Sequence, residues 1–272
     1  MNRTVLILAG SRPEGDPLAA HEGLPAKALI PLHGPPMLAR VVAAVRAAGE
    51  NAIMVSASQP TVTALACSLG CAVAPARDGP SESAAEAFRQ CGAPMLLTTA
   101  DHALLDPQWV RHLIASHPPG ADISVLLARR ETIEQAAPGT RRTYLRFADG
   151  QWSGCNLFYL ATPAAGAALD FWRQVERDRK RPWRIAARLG PGLLWRYWLG
   201  RLTVHDAIVR LGQRAGLRAA VVESPFGLAA IDVDSPADLA LVRTLIARRE
   251  AAHSAPAQSP ETAPPAPRPA AR

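Results

Sequence analysis

The sequence predicts a three-layer α/β/α fold with a mostly parallel, mixed sheet. Short apolar runs alternate with helical patterns along most of the 272 residues, which is typical of a parallel sheet with helices on both faces. Two short runs on either side of Ala148-Asp149-Gly150 indicate a hairpin. A hairpin within the α/β alternation makes the sheet mixed.

Each element is predicted from its local pattern of apolar residues and from the turn residues that bound it. The predicted strands cover residues 4–8, 52–56, 72–74, 94–98, 123–128, 157–160 and 218–222, with the hairpin at 143–147 and 151–153. The predicted helices cover residues 37–48, 61–69, 81–91, 107–115 and 163–177. Residues 1–249 are expected to form the folded domain, and the Ala- and Pro-rich residues 250–272 a disordered tail.

Composition indicates a soluble, cytoplasmic globular protein. The chain is 49% hydrophobic and 19% charged, and no apolar run reaches the roughly 18 residues of a membrane-spanning helix. The apolar run near the N-terminus is too short for a secretory signal and is better interpreted as a first strand. Cys67, Cys71, Cys91 and Cys155 lack the spacing of a zinc site, which favours buried free thiols.

The positive charge is concentrated in one segment. The chain carries a formal charge of +7, yet residues 173–218 alone carry twelve Arg and Lys against Glu176, Asp178 and Asp206, a balance of +9. The remaining residues therefore sum to −2. Confinement of the basic residues to one segment argues against a nucleic-acid binder, whose basic surface would be spread more widely.

A loop near the N-terminus has the pattern of a phosphate-binding loop. The apolar run from Val5 to Leu8 stops at Gly10, and a polar loop leads to Lys27 and a second apolar run. A glycine at this point lets the backbone turn and present N–H groups to an anion, and Lys27 and Arg12 can bring positive charge to the same place.

The stretch from Val5 to Leu38 resembles the signature loop of nucleotidyltransferases with a MobA-like NTP transferase domain. The run KALIPLHGPPML, which begins at Lys27, is similar to the family pattern K-x-L-x-P-x-x-G-x-P-M/L-L. Ser11 replaces the family's second glycine, and Arg12 comes early. The resemblance covers about residues 3–247 and implies a Rossmann-like, glycosyltransferase-A-like fold with Lys27 and Arg12 as catalytic cations. The loop residues expected to contact the nucleotide are Leu8, Ala9, Gly10 and Ser11.

Two aspartate motifs supply candidate ligands for Mg²⁺. An apolar strand ends at Asp101, at the carboxyl edge of the sheet where open α/β folds bind ligands, and this segment resembles the family's T-A-D-x-P-L/M motif. The run AAIDVDSPADLALV resembles the closing D-x-D/N-T/S-P-E-D-L motif, in which Ser235 and Pro236 start the last helix. Asp232 and Asp234 project on the same side of the chain. The resemblance implies metal ligation by Asp101 with Asp234, and Asp232 is a further candidate, either as a ligand or as a residue behind the ligands.

Two weaker motifs suggest where base and acceptor bind. In RDGPSESAAEAF, Gly79 and Ser83 match the family segment that lies against the base, with Ser81 as a possible assistant; Ser83 could equally be a helix cap. In WSGCNLFYL, Gly154 and Asn156 resemble the G-x-N segment on the acceptor side. A turn glycine and a capping asparagine are the alternatives there.

The basic segment also carries tryptophans, and three interpretations stay open. It is a cap over an anionic phosphorylated acceptor, an amphipathic element in peripheral contact with an anionic membrane, or a packed helical insertion with a solvated basic face. Its RPW and GRLT runs are similar to cytidylyltransferase domains that act on inositol phosphate and related polyol phosphates. This looser resemblance favours CTP and a polyol phosphate as the substrates.

Together these resemblances imply a Mg²⁺-dependent nucleotidyltransferase that joins an NTP to a phosphorylated polyol or sugar and releases pyrophosphate. A molybdopterin-type nucleotidyltransferase is one alternative, although such enzymes usually keep the glycine that Ser11 replaces. A glycosyltransferase is another, but it would carry Asp-x-Asp where this chain has Asp101-His102-Ala103. The third is a degenerate, non-catalytic nucleotide-binding protein. Oligomeric state does not follow from the sequence.

Overall fold

The computed structural model contains an eight-stranded sheet covered by helices. It describes residues 3–11, 15–178 and 190–254. The strands are β1 (Thr4–Leu8), β2 (Ala52–Ser56), β3 (Ala72–Ala74), β4 (Met95–Thr99), β5 (Ile123–Arg129), β6 (Leu145–Phe147), β7 (Gly150–Leu160) and β8 (Ala219–Ser224).

Ten α-helices lie within these described ranges: α1 (Pro17–His21), α2 (Met37–Ala47), α3 (Pro60–Ser68), α4 (Pro80–Cys91), α5 (Pro107–Ala115), α6 (Arg130–Ala136), α7 (Gly166–Arg177), α8 (Pro191–Trp198), α9 (Val204–Arg214) and α10 (Pro236–Ser254). Short 3₁₀ turns cover Lys27–Leu29, Pro163–Ala165 and Gly227–Ala230. No helix of this set is both long and apolar enough to cross a bilayer.

The sheet order is β3-β2-β1-β4-β7-β5-β8. β6 pairs with the first residues of β7, from Gly150 to Trp152. β7 runs antiparallel to β4 and β5, and the other central pairs are parallel. The predicted mostly parallel, mixed sheet is therefore confirmed. The carboxyl ends of β1, β4, β5 and β8 meet at one edge, and the antiparallel β7 brings its middle to that edge.

Alternation along β1 explains the three layers. Val5 and Ile7 point into the larger core, which includes residues of α2, α3 and α5, whereas Leu6 and Leu8 point into a second core with α4 and α7. Successive strand residues face opposite sides of a sheet, so a central strand buried on both faces is apolar throughout. This is why the continuous apolar run predicted β1 correctly.

β7 is longer than the sequence predicted. Residues 151–153 and 157–160 were expected as separate strands, but the structure joins them into one strand from Gly150 to Leu160. The pairing with β5 shifts between Val125 and Leu127, opposite the region of Asn156, whose φ is 46°. A bulge accommodates the interruption in the pattern without ending the strand. The hairpin of β6 with β7 is confirmed.

Helices α1 and α6 were not predicted, and α8 and α9 lie in the basic segment, for which a helical insertion was one interpretation without individual helix bounds. α1 lies within the irregular loop, where Asp16 caps it by accepting the N–H groups of Leu18 and Ala19. Thr203 caps α9 by accepting the N–H of Asp206 at 3.1 Å. α1 and α6 are only five and seven residues long, so capping and tertiary packing decide them more than periodicity does. α10 extends to Ser254, and the rest of the expected tail, residues 255–272, lies outside the described residues.

The four cysteines are free thiols. Cys71 and Cys155 are buried, as expected, but Cys67 and Cys91 are exposed. Burial raises the pKa of the Cys71 thiol above its ordinary value, which keeps it protonated and unreactive.

Gly227 sets the position of the segment that carries Asp232 and Asp234. A Cβ atom at Gly227 would lie 2.1 Å from the carbonyl oxygen of Thr132 in α6. We expect Gly227→Ala to lower the free energy of unfolding by about 3 kcal/mol, because helix α6 or the 227–230 turn must move. Denaturant unfolding measures this change. Gly192→Ala, where the new Cβ meets nothing within 4 Å, is the matched control, and equal destabilisation by both variants would contradict the prediction.

Candidate functional site

Three polar side chains converge at the carboxyl edge of the sheet. Lys27 begins the 3₁₀ turn after the loop, Asp101 follows β4 by two residues, and Asp234 stands just before α10. The Nζ atom of Lys27 lies 2.7 Å from Oδ2 of Asp101 and 2.8 Å from Oδ1 of Asp234. These residues are 74 and 207 positions apart in the chain, so the fold alone brings them together.

The backbone fixes this arrangement. The N–H of Val233 donates to the carbonyl oxygen of Asp101 at 3.1 Å, which ties the Asp232–Asp234 segment to the end of β4. Thr99 donates its hydroxyl to Oδ1 of Asp101 and orients that carboxylate. One carboxylate oxygen of Asp101 therefore accepts a hydrogen bond from Thr99 at the end of β4, and the other accepts one from Lys27.

Lys27 is cationic at neutral pH. Burial disfavours its charged form, but the charges and hydrogen bonds of Asp101 and Asp234 outweigh burial and raise the pKa of Lys27 above its ordinary value. The side chains of Lys27 and Asp101 are each 19% exposed, whereas Asp234 is 63% exposed. The site is thus a half-buried cation between one sheltered and one open carboxylate.

Asp232 contacts protein groups other than Lys27. Its Oδ2 accepts a hydrogen bond from Nδ2 of Asn156 at 2.8 Å, and its Oδ1 pairs with the guanidinium of Arg142. Burial raises the pKa of the Asp232 carboxyl, although Arg142 opposes that effect. Both oxygens are therefore engaged by protein groups, and the structure brings Asp101 and Asp234, but not Asp232, to Lys27.

Arg142 is a site residue that the sequence did not reveal. It also lies 3.7 Å from Oδ1 of Asp238 and donates to the carbonyl oxygen of Asp232 at 3.4 Å. Arg142 follows Arg141 in a stretch without an apolar pattern or a motif, and its partners are about 90 residues away in the chain. No local signal could have identified it.

Asp238 and Ser235 cap the start of α10. The Oδ2 of Asp238 accepts the N–H of Ser235 at 2.9 Å and its hydroxyl at 2.6 Å, and the Ser235 hydroxyl accepts the N–H of Asp238 at 3.2 Å. This reciprocal cap fixes the turn that follows Asp234. It matches the expectation that Ser235 caps the helix, and it places Asp238 at the helix start where a negative charge is favourable.

We expect Arg142→Met to destabilise the protein by roughly 3 kcal/mol, because it leaves the half-buried Asp232 carboxylate without its counter-charge. Thermal or denaturant unfolding tests this. Arg141→Met removes the neighbouring, exposed guanidinium and should change stability little. In the double variant Arg142→Met/Asp232→Asn, part of the loss should be recovered. Additive losses would contradict direct coupling of the pair.

The predicted phosphate loop lies beside Lys27. Leu8, Ala9, Gly10 and Ser11 line a small pocket of about 50 Å³ together with Asp16, Ala28, Ala100, Lys27 and Asp101. The N–H of Ala100 donates to the carbonyl oxygen of Leu8 at 2.9 Å, so the ends of β1 and β4 stay aligned. Gly10 does not adopt a left-handed conformation, and a Cβ there would lie 3.4 Å from that of Ala76. Arg12 lies outside the described residues.

The predicted base-binding loop precedes α4. Ser83 donates its hydroxyl to the carbonyl oxygen of Gly79 at 2.9 Å and accepts the N–H of Arg77 at 2.9 Å, so this hydroxyl shapes the loop. Glu176 of α7 accepts the N–H of Ser81 at 3.2 Å and also its hydroxyl. A Cβ on Gly79 would meet Oε1 of Glu176 at 2.7 Å. Glu176 presents the end of a flexible side chain that can move aside, so this contact does not require glycine at position 79; the pairing of Ser81 with Glu176 was not predicted from the sequence.

The predicted acceptor residues lie on β7 at the same edge as Asp101. Gly154 pairs opposite Leu127 of β5, is exposed, and has open space where a side chain would stand. Asn156 uses its left-handed backbone to direct its amide to Asp232. Gly154 thus faces solvent at the site edge, while Asn156 connects that edge to the Asp232–Arg142 pair.

His102, next to Asp101, is a packing residue. It is buried and stacks on Trp109 with ring centroids 5.6 Å apart. Burial lowers the pKa of His102 to about 4, although the charge of Asp101 opposes this, so the imidazole is neutral at pH 7. The expected metal motif therefore does not extend to His102.

The carboxylates of Asp101 and Asp234 fit a hard divalent cation. Within the described ranges, no group of three or more His, Cys, Asp and Glu side chains is arranged to hold a metal. Both carboxylates nevertheless reach a single cationic atom, the Nζ of Lys27, so their oxygens converge on one region. Mg²⁺ is commonly bound by one or two carboxylates, with the remaining positions supplied by water and substrate phosphates.

The chain is similar to known nucleotide-transferring proteins. Residues 5–180 match the model of the MobA-like NTP transferase domain, which is more than half of the chain. A hypothetical transferase from Thermus thermophilus is 30% identical, with a TM-score of 0.76 over 88% of this chain and 100% of that one.

Two more distant structures share the fold. A nucleotidyl transferase from Methanothermobacter is 20% identical, with a TM-score of 0.56 over 91% of this chain and 99% of its own. CMP:2-keto-3-deoxy-manno-octonic acid synthetase complexed with CTP is 18% identical, with a TM-score of 0.57 over 92% of this chain and 100% of its own. No curated protein sequence matches the chain significantly.

Proposed function

The chain belongs to the MobA-like NTP transferase domain family, and from this we propose that it transfers a nucleoside monophosphate from an NTP to a phosphorylated small-molecule acceptor, with release of pyrophosphate. The observation that supports this most directly is the convergence of Lys27 with Asp101 and Asp234 beside the loop of residues 8–11. A cation and two carboxylates at the carboxyl edge of an α/β sheet suit a triphosphate and its counter-ion.

Asp101 and Asp234 would hold Mg²⁺ in this proposal. A bound Mg²⁺ neutralises charge on the triphosphate and so lowers the cost of bringing an anionic acceptor to it. Asp101 is the sheltered ligand, oriented by Thr99, and Asp234 is the exposed one. Asp232 acts as a positioning residue that is itself held by Arg142 and Asn156.

Lys27 would contact the phosphates directly. Its pKa lies above the ordinary value, so it carries a full positive charge at neutral pH and can stabilise negative charge that develops around the α-phosphorus. An oxygen of the acceptor phosphate attacks that phosphorus, the bond to the bridging oxygen breaks, and pyrophosphate leaves. Arg12 would supply a second cation from the loop.

The remaining predicted residues divide between the two substrates. The loop of residues 8–11 would present backbone groups to the phosphates, and Gly79 with Ser83 would shape the surface against the base. Gly154 and Asn156 would line the acceptor side, where Gly154 leaves open space. CTP and a polyol or sugar phosphate are the substrates to test first, because of the resemblance of the 181–183 and 200–203 runs. Residues 181–183 lie outside the described part of the chain.

The proposal is tested by assaying every combination of NTP and acceptor. Pyrophosphate release is measured with each NTP, with and without Mg²⁺, against a panel of sugar and polyol phosphates. We expect release with one acceptor class, only in the presence of metal. If no NTP gives a Mg²⁺-dependent thermal shift, the transferase proposal fails. If the shift occurs without turnover for any acceptor, the non-catalytic nucleotide-binding alternative is favoured instead.

A further inference from the structure

Most of the exposed large apolar side chains in the described ranges lie in one short stretch. Trp195, Tyr197, Trp198 and Leu199 are 61%, 47%, 76% and 41% exposed, and only Leu145 and Val209 are comparably exposed elsewhere. Trp195, Trp198 and Leu199 are spaced i, i+3 and i+4, so they share one face at the end of α8. We call these four residues, 195 and 197–199, the aromatic patch.

The aromatic patch rests on a packed base. Leu193, on the inner side of α8, is buried with Leu202 and Ala207. The ring of Tyr197 meets that of Phe147 of β6 edge-on, with centroids 5.9 Å apart. The Trp195 and Trp198 rings contact each other at 5.5 Å. The inner side of α8 packs against the domain, so the exposed outer side of the patch is available to a partner.

Charge indicates what that partner is. The described residues 173–178 and 190–218 carry seven arginines against three acidic residues, a balance of +4, and exposed arginines such as Arg201 and Arg210 stand close in sequence to the patch. Arg196 is paired with Asp206 at 3.2 Å. A second copy of the chain would bring the same positive segment against this one, which opposes self-association through the patch. An anionic partner with an apolar layer fits both the charge and the tryptophans.

We propose that the aromatic patch docks on the surface of an anionic lipid bilayer. Trp and Tyr are favoured at the boundary between headgroups and acyl chains, where an apolar ring body and a polar N–H or O–H are both accommodated. Arginines around such a patch meet lipid phosphates, each contributing attraction that weakens as salt screens it. Leu199 adds aliphatic surface that suits acyl chains better than stacked bases. This inference does not depend on the proposed catalytic function.

The experiment uses the full chain and sedimentation with vesicles. We expect binding to vesicles of phosphatidylcholine mixed with phosphatidylglycerol, little binding to pure phosphatidylcholine, and a blue shift of tryptophan emission on binding. Trp195→Ser/Trp198→Ser should weaken binding at least about tenfold, and Arg201→Ser about fivefold. Arg89→Ser, which removes an exposed arginine of α4 far from the patch in sequence, should change it less than about twofold.

Several results would overturn the proposal. These are equal binding to neutral and anionic vesicles, no binding by the parent chain, or full binding by the double tryptophan variant. Tighter binding to single-stranded oligonucleotides than to vesicles, or patch-dependent dimers in sedimentation velocity, would assign the patch to another partner. Circular dichroism confirms that each variant is folded. Pyrophosphate release without vesicles should be unchanged in Trp195→Ser/Trp198→Ser and in Arg89→Ser.

Discussion

Replacement of Lys27 by alanine is expected to lower the maximal rate of pyrophosphate release by about 10²–10³-fold, the usual effect of removing one preorganised positive donor from a transfer site. The reason is geometric: Lys27 stands at the loop that lines the pocket and carries a stabilised positive charge. Initial rates at saturating NTP and acceptor measure the effect. Nucleotide affinity should fall as well, because the proposed function places the lysine against the phosphates in the bound ground state.

The variant Lys27→Arg distinguishes the effect of the positive charge on the rate from the effect of the side chain's shape. It keeps the positive charge but replaces a compact ammonium with a planar guanidinium, which cannot occupy the same position between Asp101 and Asp234 without rearrangement. We expect an intermediate rate, higher than that of Lys27→Ala. Thermal unfolding identifies any variant whose loss of activity reflects loss of structure. Full turnover by Lys27→Ala would remove Lys27 from the catalytic assignment.

The three site aspartates should respond differently to conversion to asparagine. Asp101→Asn is expected to lower the rate at least about 10²-fold and to raise the Mg²⁺ concentration needed for half-maximal activity. Asp234→Asn should shift the same midpoint while leaving the thermal stability of the protein nearly unchanged, because that side chain is 63% exposed. Rates measured across a Mg²⁺ titration provide both quantities.

Asp232→Asn is the matched control for this series. Its carboxylate pairs with Arg142 and Asn156 rather than with Lys27, so we expect a lower melting temperature and an unchanged Mg²⁺ midpoint. A midpoint that moves as far in Asp232→Asn as in Asp101→Asn would contradict the division between metal ligands and positioning residue. Full activity of Asp101→Asn would remove the metal assignment altogether.

The sequence predicted the family, the fold class and the parallel half of the sheet. Val5–Leu8 and the runs of β2 and β4 are buried on both faces, and strands of that kind are continuous apolar segments that can be recognised locally. The convergence of Lys27, Asp101 and Asp234 also follows from sequence logic. Motifs that end strands or begin helices at one edge of a parallel-rich sheet must lie near one another. Their chemical roles stay predictions.

The rest depended on contacts between distant parts of the chain. The pairing of Asp232 with Arg142 spans 90 residues, and that of Ser81 with Glu176 spans 95. Neither pairing can be recognised from the residues that surround it in the sequence. Ser83 shows a second difficulty: its motif predicts contact with the base, and its hydroxyl also forms hydrogen bonds within its own loop. An isolated polar residue at a helix start serves both purposes equally well.

β7 connects the candidate site with the base of the aromatic patch. Its middle carries Asn156, which bonds to Asp232 at the carboxyl edge of the parallel strands, and its first residues pair with β6, whose Phe147 contacts Tyr197. From Gly150 to Asn156 the strand spans about 20 Å at roughly 3.3 Å per residue. A bilayer met by the aromatic patch would therefore stand at a fixed offset from the acceptor side, and an acceptor held in that bilayer would have to project across that gap to reach the nucleotide.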